Sequence, residues 1–78
     1  MISAVILLNT DLDAQDKVLE SLRHVDGVEE AHALYSVYDL IVKIKGNSIE
    51  KLKEITKSRI KSIVGVNSSL TLMIVQGN

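Results

Sequence analysis

The chain has 78 residues, no cysteine, two histidines and a formal net charge of −1. These features exclude a disulfide framework, argue against a zinc site or another cofactor, and disfavour a nucleic-acid-binding face, which needs clustered Lys and Arg. A single hydrophobic core of this size supplies roughly 3–5 kcal/mol, so we expect oligomerisation to provide further stability.

The N-terminal segment, residues 2–9, is an apolar run rich in β-branched residues and is ended by Asn9-Thr10-Asp11. This pattern predicts a buried first strand. The run is far shorter than the ~20 residues of a transmembrane helix, and it lacks the basic start and cleavage pattern of a signal peptide. We therefore expect a cytoplasmic protein that makes no contact with a membrane.

The next segment has apolar residues at intervals of four, four and three, which is the spacing of one helical face. Asp11 or Asp13 is placed to cap this helix, and Gly27 is placed to end it in the left-handed conformation. We therefore predict a first helix between the first strand and Gly27. The apolar residues of its face are Ala14, Val18, Leu22 and Val25.

The middle of the chain is predicted to be a β-hairpin. Its strands would be Val28–Tyr35 and Tyr38–Lys45, joined by a tight turn at Ser36-Val37. The break at residues 46–48 then separates the hairpin from a second helical pattern.

A second helix is predicted to begin at Asn47, which with Glu50 forms a capping-box pattern, and to end at Gly65. Val66–Val75 is the predicted last strand. The residues expected on the apolar side of the second helix are Ile49, Leu52, Thr56, Ile60 and Ile63.

One pattern occurs twice: Leu22-x-x-Val25-x-Gly27-Val28 matches Ile60-x-x-Ile63-x-Gly65-Val66. Each copy is the end of a helix, a glycine cap and the entry into a strand. Two successive βαβ halves predict a single α+β domain, residues 1–78, with a ferredoxin-like βαββαβ sandwich fold. We expect a four-stranded antiparallel sheet with two helices on one face.

Both faces of the predicted sheet carry apolar side chains. Two helices can cover only one face, and the other would be an exposed apolar patch of the kind that marks an interaction site. We therefore predict a homodimer in which two sheets pack face to face; the alternative is a monomer with an apolar surface. The predicted interface residues are Val5, Leu7, Ile41, Met73 and Val75.

Three segments resemble the effector domain, also called the RAM domain, of the Lrp/AsnC family of leucine-responsive transcriptional regulators. They are Val25–Ala31, Tyr38–Ile44 and the pattern Ile60-x-x-Ile63-x-Gly65-Val66, and the resemblance covers essentially the whole chain. It implies sheet-stacked dimers, rings of dimers, and amino acids bound at contacts between dimers. In such regulators a helix-turn-helix domain precedes this domain, whereas Met1 opens the first strand here. The resemblance therefore implies a stand-alone module, with an excised domain as the alternative; a stand-alone copy could act on transcription by mixing with full-length regulators.

The resemblance also implies a ligand site at the hairpin. Asp39, with the backbone at Ser36-Val37-Tyr38, would receive the α-ammonium group of an amino acid; the alternative is a turn carboxylate that binds nearby backbone N–H groups. Tyr38 would wall the pocket or pack at a subunit contact. The family usually has glycine at the position of Ser36, and serine takes positive φ only at a cost. The hydroxyls that could receive the ligand carboxylate, or simply be solvated, are Ser68, Ser69 and Thr71.

The alternative function is a small dimeric enzyme of the ferredoxin-like class, such as a monooxygenase or isomerase. Catalysis needs a poised acid, base or nucleophile inside a pocket. The chain has no cysteine, and neither His24 nor His32 has an obvious carboxylate partner in the sequence. We therefore expect a non-enzymatic ligand-binding module; a purely structural oligomer is the third hypothesis.

Overall fold

The computed structural model of the chain describes residues 2–74 and has the predicted βαββαβ order. The last strand lies at residues 66–74, and a π-helical segment continues the second helix without a break. The elements are β1 (Ile2–Thr10), α1 (Gln15–Leu22), β2 (Val28–Ala33), β3 (Leu40–Gly46), α2 (Ile49–Glu54), the π-helical segment (Ile55–Ile60) and β4 (Val66–Ile74).

The four strands form one antiparallel sheet in the order β2-β3-β1-β4. β1 is a central strand that pairs with β3 and β4, so that Ile6 lies opposite both Val42 and Thr71. β2 and β4 are the two edges of the sheet. The sequence prediction of a four-stranded antiparallel sheet with two helices is therefore confirmed.

The hydrophobic core lies between the helices and one face of the sheet, which we call the helix face. Alternate residues of β1 and β3 are completely buried there because side chains point to opposite faces along a strand. The core residues are Ala4, Ile6, Leu8, Ala31, Leu40, Val42 and Ile44 from the sheet, and Val18, Leu22, Leu52, Ile55 and Ile60 from the helices.

The helix caps differ from those expected. Neither Asp11 nor Asp13 caps α1; Ala14 is its N-cap and makes no side-chain bond, while Asp13 adopts a positive φ of 69°. At α2 the cap is Ser48, whose Oγ accepts a hydrogen bond of 3.1 Å from the backbone N–H of Lys51. The predicted Asn47 cap is wrong by one residue because β3 continues to Gly46 and the extended cap conformation falls at position 48.

The π-helical segment changes which residues of the second helix are buried. The N–H of Lys61 donates to the carbonyl of Thr56, five residues earlier, at 2.9 Å. Thr56 Oγ1 in turn donates to the Leu52 carbonyl at 2.9 Å. Because this wider turn shifts the helical face, Ile55 is buried although the sequence spacing omitted it, whereas Ile49 is 43 % exposed.

The hairpin between β2 and β3 is longer than the predicted two-residue turn. β2 ends at Ala33 and β3 begins at Leu40, so residues 34–39 form a six-residue loop. Tyr35 and Val37 within it are almost fully exposed and gain no burial from pairing. The loop is closed by the Leu34 N–H, which donates to the Asp39 carbonyl at 2.8 Å.

Gly27 connects α1 to β2 at a close approach to the second helix. Its φ is +95°, and a Cβ there would lie 2.7 Å from Ile55 Cδ1. We expect Gly27→Ala to lower the free energy of unfolding by about 1–3 kcal/mol, since alanine is strained at positive φ and meets Ile55. Equilibrium urea unfolding at fixed protein concentration measures the loss. The control is Gly46→Ala, where φ is not positive and the nearest atom lies at 3.3 Å; an equal loss in both variants would contradict this account.

Candidate functional site

Three loops meet where β1 and β2 end and where β3 and β4 begin. The Thr10 N–H donates to Asp39 Oδ2 at 2.8 Å, and the Asp11 N–H donates to the Gly65 carbonyl at 2.7 Å. Gln15 Nε2 donates to the Asp39 carbonyl at 2.7 Å. These bonds hold the three loops as one surface. We call it the loop end; it comprises residues 11–14, 34–39 and 61–65.

Asp39 lies at the centre of the loop end and is half-buried. Its Oδ2 atom accepts the Thr10 N–H and, at 3.4 Å, the Thr10 hydroxyl, while its own N–H donates to the Leu8 carbonyl at 2.8 Å. The backbone-binding role that the sequence left open is therefore present. Within residues 2–74 the Oδ1 atom accepts no hydrogen bond, and it is not sealed from solvent. One carboxylate oxygen is thus available to a ligand.

The other expected ligand residues of the hairpin lie in the same loop. Ser36 and Val37 are exposed and Tyr38 is half-buried. The glycine that Ser36 replaces is not needed for the loop conformation, because Asp13 is the sole non-glycine residue with positive φ in residues 2–74. Serine is therefore unstrained at position 36.

The hydroxyls of β4 are separated from Asp39 and from one another. Ser68 lies opposite Asn9, whose Nδ2 donates to the Ser68 hydroxyl at 3.3 Å, on the face away from the helices. Ser69 and Thr71 lie opposite Leu8 and Ile6 on the helix face. Because β1 stands between β3 and β4, the backbone of Asp39 lies two strand spacings, or roughly 10 Å, from the start of β4. A single protomer does not bring Asp39 and all three hydroxyls into one pocket.

The loop end carries four large apolar side chains that the sequence analysis did not single out as a group. Leu12 is 92 % exposed, Val64 93 %, Val37 84 %, and Tyr35 fully so. Exposed apolar side chains mark an interaction site where they form a contiguous patch, and these four belong to the three loops of the loop end. In the sequence, only their neighbours indicate that two of these residues are exposed: Leu12 lies between Asp11 and Asp13, and Val64 directly precedes Gly65 at the end of the second helix.

The face of the sheet away from the helices is apolar, as expected, but its members differ. Register places Leu70 and Leu72 opposite Leu7 and Val5, and Leu7 also lies opposite Ile41. We call the surface made by these five residues the open face.

The assignment of Met73 to the open face is wrong. Met73 lies opposite Ala4 on the helix face and packs against the core. Both sets of alternate residues in β4 include apolar side chains, Leu70 and Leu72 in one set and Met73 in the other. The sequence therefore could not determine which set faces the helices. Val75 lies outside the described residues.

Charged residues border the open face at the β2 edge. Lys45 Nζ lies 2.9 Å from Glu29 Oε2, and His32 Nε2 lies 3.0 Å from Glu30 Oε1. The hydrogen bond from His32 holds the pKa of Glu30 below its ordinary value of 4.5, with a smaller contribution from the charge of Lys43. An apolar centre with a polar margin is the usual anatomy of a protein interface.

Both histidines have carboxylate partners that the sequence analysis missed. Glu30 pairs with His32 two residues along the same strand face, and Glu20 lies 3.6 Å from His24 across one helical turn. Both pairs are well exposed and neither lies in an enclosed pocket. Residues 2–74 contain no group of three His, Asp or Glu side chains that could hold a metal ion. The same residues include no helix long and apolar enough to span a bilayer.

Comparison with known proteins agrees with this architecture. The model of the Lrp/AsnC ligand binding domain matches residues 3–77. An HTH-type transcriptional regulator of Pyrococcus horikoshii, itself uncharacterised, is 28% identical over 74 residues, which is 91% of this chain and 49% of that protein. The chain thus spans about half the length of the curated relatives it matches.

Solved structures show the same fold. A hypothetical protein from Pyrococcus horikoshii superposes with a TM-score of 0.92 at 27% identity, covering 99% of this chain and 93% of the other. A transcriptional regulator from Neisseria meningitidis, solved in complex with L-Met, gives a TM-score of 0.85 at 17% identity, covering 96% of this chain and 50% of the other. By its sequence and its fold, the chain belongs to the Lrp/AsnC ligand-binding domain family.

Proposed function

We propose that the chain is a non-enzymatic, ligand-responsive module that binds an amino acid or a related small molecule at a subunit contact and thereby modulates transcriptional regulation. The observation that carries this proposal is the loop end, where the available oxygen of Asp39 is accompanied by four highly exposed apolar side chains. A carboxylate on an apolar, uncovered surface is half of a binding site, which a second subunit would complete.

The chemistry of an α-amino acid fits such a divided site. Asp39 Oδ1 would accept the ammonium group, since Oδ2 is already engaged by Thr10. Within one protomer the hydroxyl of Ser68 lies on one face of the sheet and those of Ser69 and Thr71 lie on the other, so we propose that one of these two sets, from a neighbouring subunit, binds the ligand carboxylate. Enclosure between subunits would exclude water and strengthen both charged contacts.

Ligand binding at a subunit contact couples to assembly only if the ligand's affinity differs between assembly states. A site built from two subunits meets this condition, because the separated subunits each hold half of it. The Neisseria meningitidis regulator of the same fold was solved with L-Met, which supports an amino acid as the ligand class. The relatives that span twice this length are HTH-type regulators, and we propose such regulators as the partners through which assembly reaches transcription.

Amino acids are the first ligands to test by thermal unfolding, each at millimolar concentration. A ligand at a hundred times its Kd adds about 2.7 kcal/mol if it binds only the folded form. In a domain of this size each kcal/mol raises Tm by roughly 4–8 °C, so we expect one or two amino acids to raise Tm by about 10–20 °C. Small and equal shifts of Tm with every amino acid would contradict the proposal that an amino acid is the ligand.

Substitution of Asp39 separates its structural role from its proposed ligand role. Asp39→Ala removes the acceptor of the Thr10 N–H, and we expect it to cost about 1–2 kcal/mol of unfolding free energy. Asp39→Asn keeps an acceptor oxygen for Thr10 and loses the charge, so the fold should persist while the ligand-induced Tm shift disappears. Asp26→Asn, the same change at an exposed carboxylate on the opposite end of the sheet, is the control. A full shift in Asp39→Asn would place the ligand elsewhere.

Sheet stacking through the open face is testable by sedimentation equilibrium. Leu72, 47 % exposed, lies on the open face, and Ile49, 43 % exposed, lies on α2. We expect Leu72→Glu to convert the dimer into a monomer, because the stacked sheets would bury an unpaired charge. Ile49→Glu, a matched change in exposure and chemistry, should leave the dimer intact. Dissociation by both variants, or by neither, would argue against this interface.

A further inference from the structure

The side chain of Gln15 crosses from α1 to the hairpin loop. Gln15 is the first residue of α1 and is half-buried. Its Nε2 atom donates to the Asp39 carbonyl at 2.7 Å. The nitrogen of this amide, and not its oxygen, must face the carbonyl, because a carbonyl oxygen can only accept. Among the hydrogen bonds of residues 2–74, this is the one that joins α1 to residues 34–39. The hydrogen-bonded attachment of the loop to α1 therefore depends on Gln15.

The chain before α1 directs Gln15 toward the hairpin. The N-cap of α1 is Ala14, which makes no side-chain hydrogen bond, so the helix start is not capped in the usual way. Asp13 has a positive φ of 69°, and the Ala14 N–H donates to the Asp11 carbonyl at 3.0 Å. This turn places the first side chain of the helix beside the start of β3, where its amide binds Asp39.

Asp39 is held through its backbone and through one carboxylate oxygen. Its N–H donates to the Leu8 carbonyl at 2.8 Å, and its carbonyl accepts the Leu34 N–H at 2.8 Å as well as the Gln15 amide. Oδ2 accepts the Thr10 N–H at 2.8 Å. Strand β1, the loop and α1 thus each contribute a bond to Asp39. Because the carboxyl group is joined to the backbone through one methylene group, a shift of the backbone would move Oδ1 as well.

We propose that Gln15 is a positioning residue of the ligand site: by fixing the Asp39 carbonyl, it aims Oδ1 at the α-ammonium group of the ligand. The inference rests on the proposed function, in which Oδ1 receives that group. A hydrogen bond between two charged groups needs a nitrogen–oxygen distance of about 2.7–2.9 Å. Binding groups are held to about 0.5 Å by the residues behind them. Gln15 has this supporting role, and it acts through Asp39 without touching the ligand.

A positioning role confines the effect of Gln15 to one part of the ligand. Asp39 receives the ammonium group, whereas other groups contact the carboxylate and the side chain of the ligand. Loss of the Gln15 bond should therefore weaken ligands that carry an ammonium group and leave those without one unaffected. A purely structural Gln15 would instead lower the stability of the free protein and change the binding of both kinds of ligand equally.

Isothermal titration calorimetry of wild-type protein and Gln15→Met tests this difference. Methionine is close to glutamine in length and cannot donate a hydrogen bond. The probes are the amino acids that raise the Tm of wild-type protein, each paired with the acid that lacks its ammonium group, such as L-leucine with isocaproate and L-phenylalanine with hydrocinnamate. We expect Gln15→Met to raise the Kd for the amino acids about tenfold and to leave the Kd for the acids unchanged within about twofold.

Ser21→Met is the matched control. It places the same side chain at an exposed position of the same helix, again in exchange for a neutral polar residue. We expect this variant to bind both members of each pair with the wild-type Kd.

Amide hydrogen exchange of the free protein, followed by NMR, tests the positioning without any ligand. Gln15→Met should speed exchange of the Leu34 and Asp39 N–H groups about fivefold, because removal of a hydrogen bond loosens the loop locally. The Lys45 N–H donates to the Gly27 carbonyl at 3.0 Å at the opposite end of the sheet and should exchange at the wild-type rate. Ser21→Met should leave all three rates unchanged.

Three results would overturn the inference: equal binding of the amino acids by Gln15→Met and Ser21→Met, equal weakening of amino acids and acids by Gln15→Met, or unchanged exchange at Leu34 and Asp39. The proposed function fails in a different way, when no amino acid raises the Tm of wild-type protein. In that case the ligand role of Gln15 falls with it. When the amino acids bind wild-type protein and Gln15→Met alike, the inference about Gln15 fails and the proposed function stands.

Discussion

The pairing of β1 with two neighbours governs the rest of the structure. β1 is apolar at every position from Ala4 to Leu8, and alternation sends Ala4, Ile6 and Leu8 into the core and Val5 and Leu7 to the other side. The two helices cover one face of a sheet whose middle strand is apolar on both. Burial of the helix face stabilises the folded protomer. The open face stays exposed and apolar, as at an interaction site. Folding, and the association that we propose through the open face, thus both follow from one strand.

The loop end depends on the same strand. Because β1 ends beside the starts of β3 and β4, the carboxylate of Asp39 can bind the backbone of Thr10 while the chain turns toward α1. That bond gives Asp39 a structural role and also fixes the direction of its second oxygen. Asp39 thus connects the loops of the loop end and keeps its Oδ1 atom available as an acceptor. A ligand bound to Asp39 would therefore contact a residue on which the loop structure depends.

The proposed contact through the open face has a simple physical basis. The open face is apolar and self-complementary, so the strength of a contact through it follows the hydrophobic effect and changes little with salt.

The sequence by itself determined the element order, the fold class and much of the core, because hydrophobic periodicity and capping glycines such as Gly27 and Gly65 are local signals. It also indicated that one sheet face lacks a cover, and it singled out Asp39. The tertiary structure decided the rest: the face on which Met73 lies, the burial of Ile55 by a π-helical turn, and the distance between Asp39 and the hydroxyls of β4. These depend on register and strand order, which are set by contacts between residues far apart in the chain, and a pattern that is apolar on both faces cannot encode them locally.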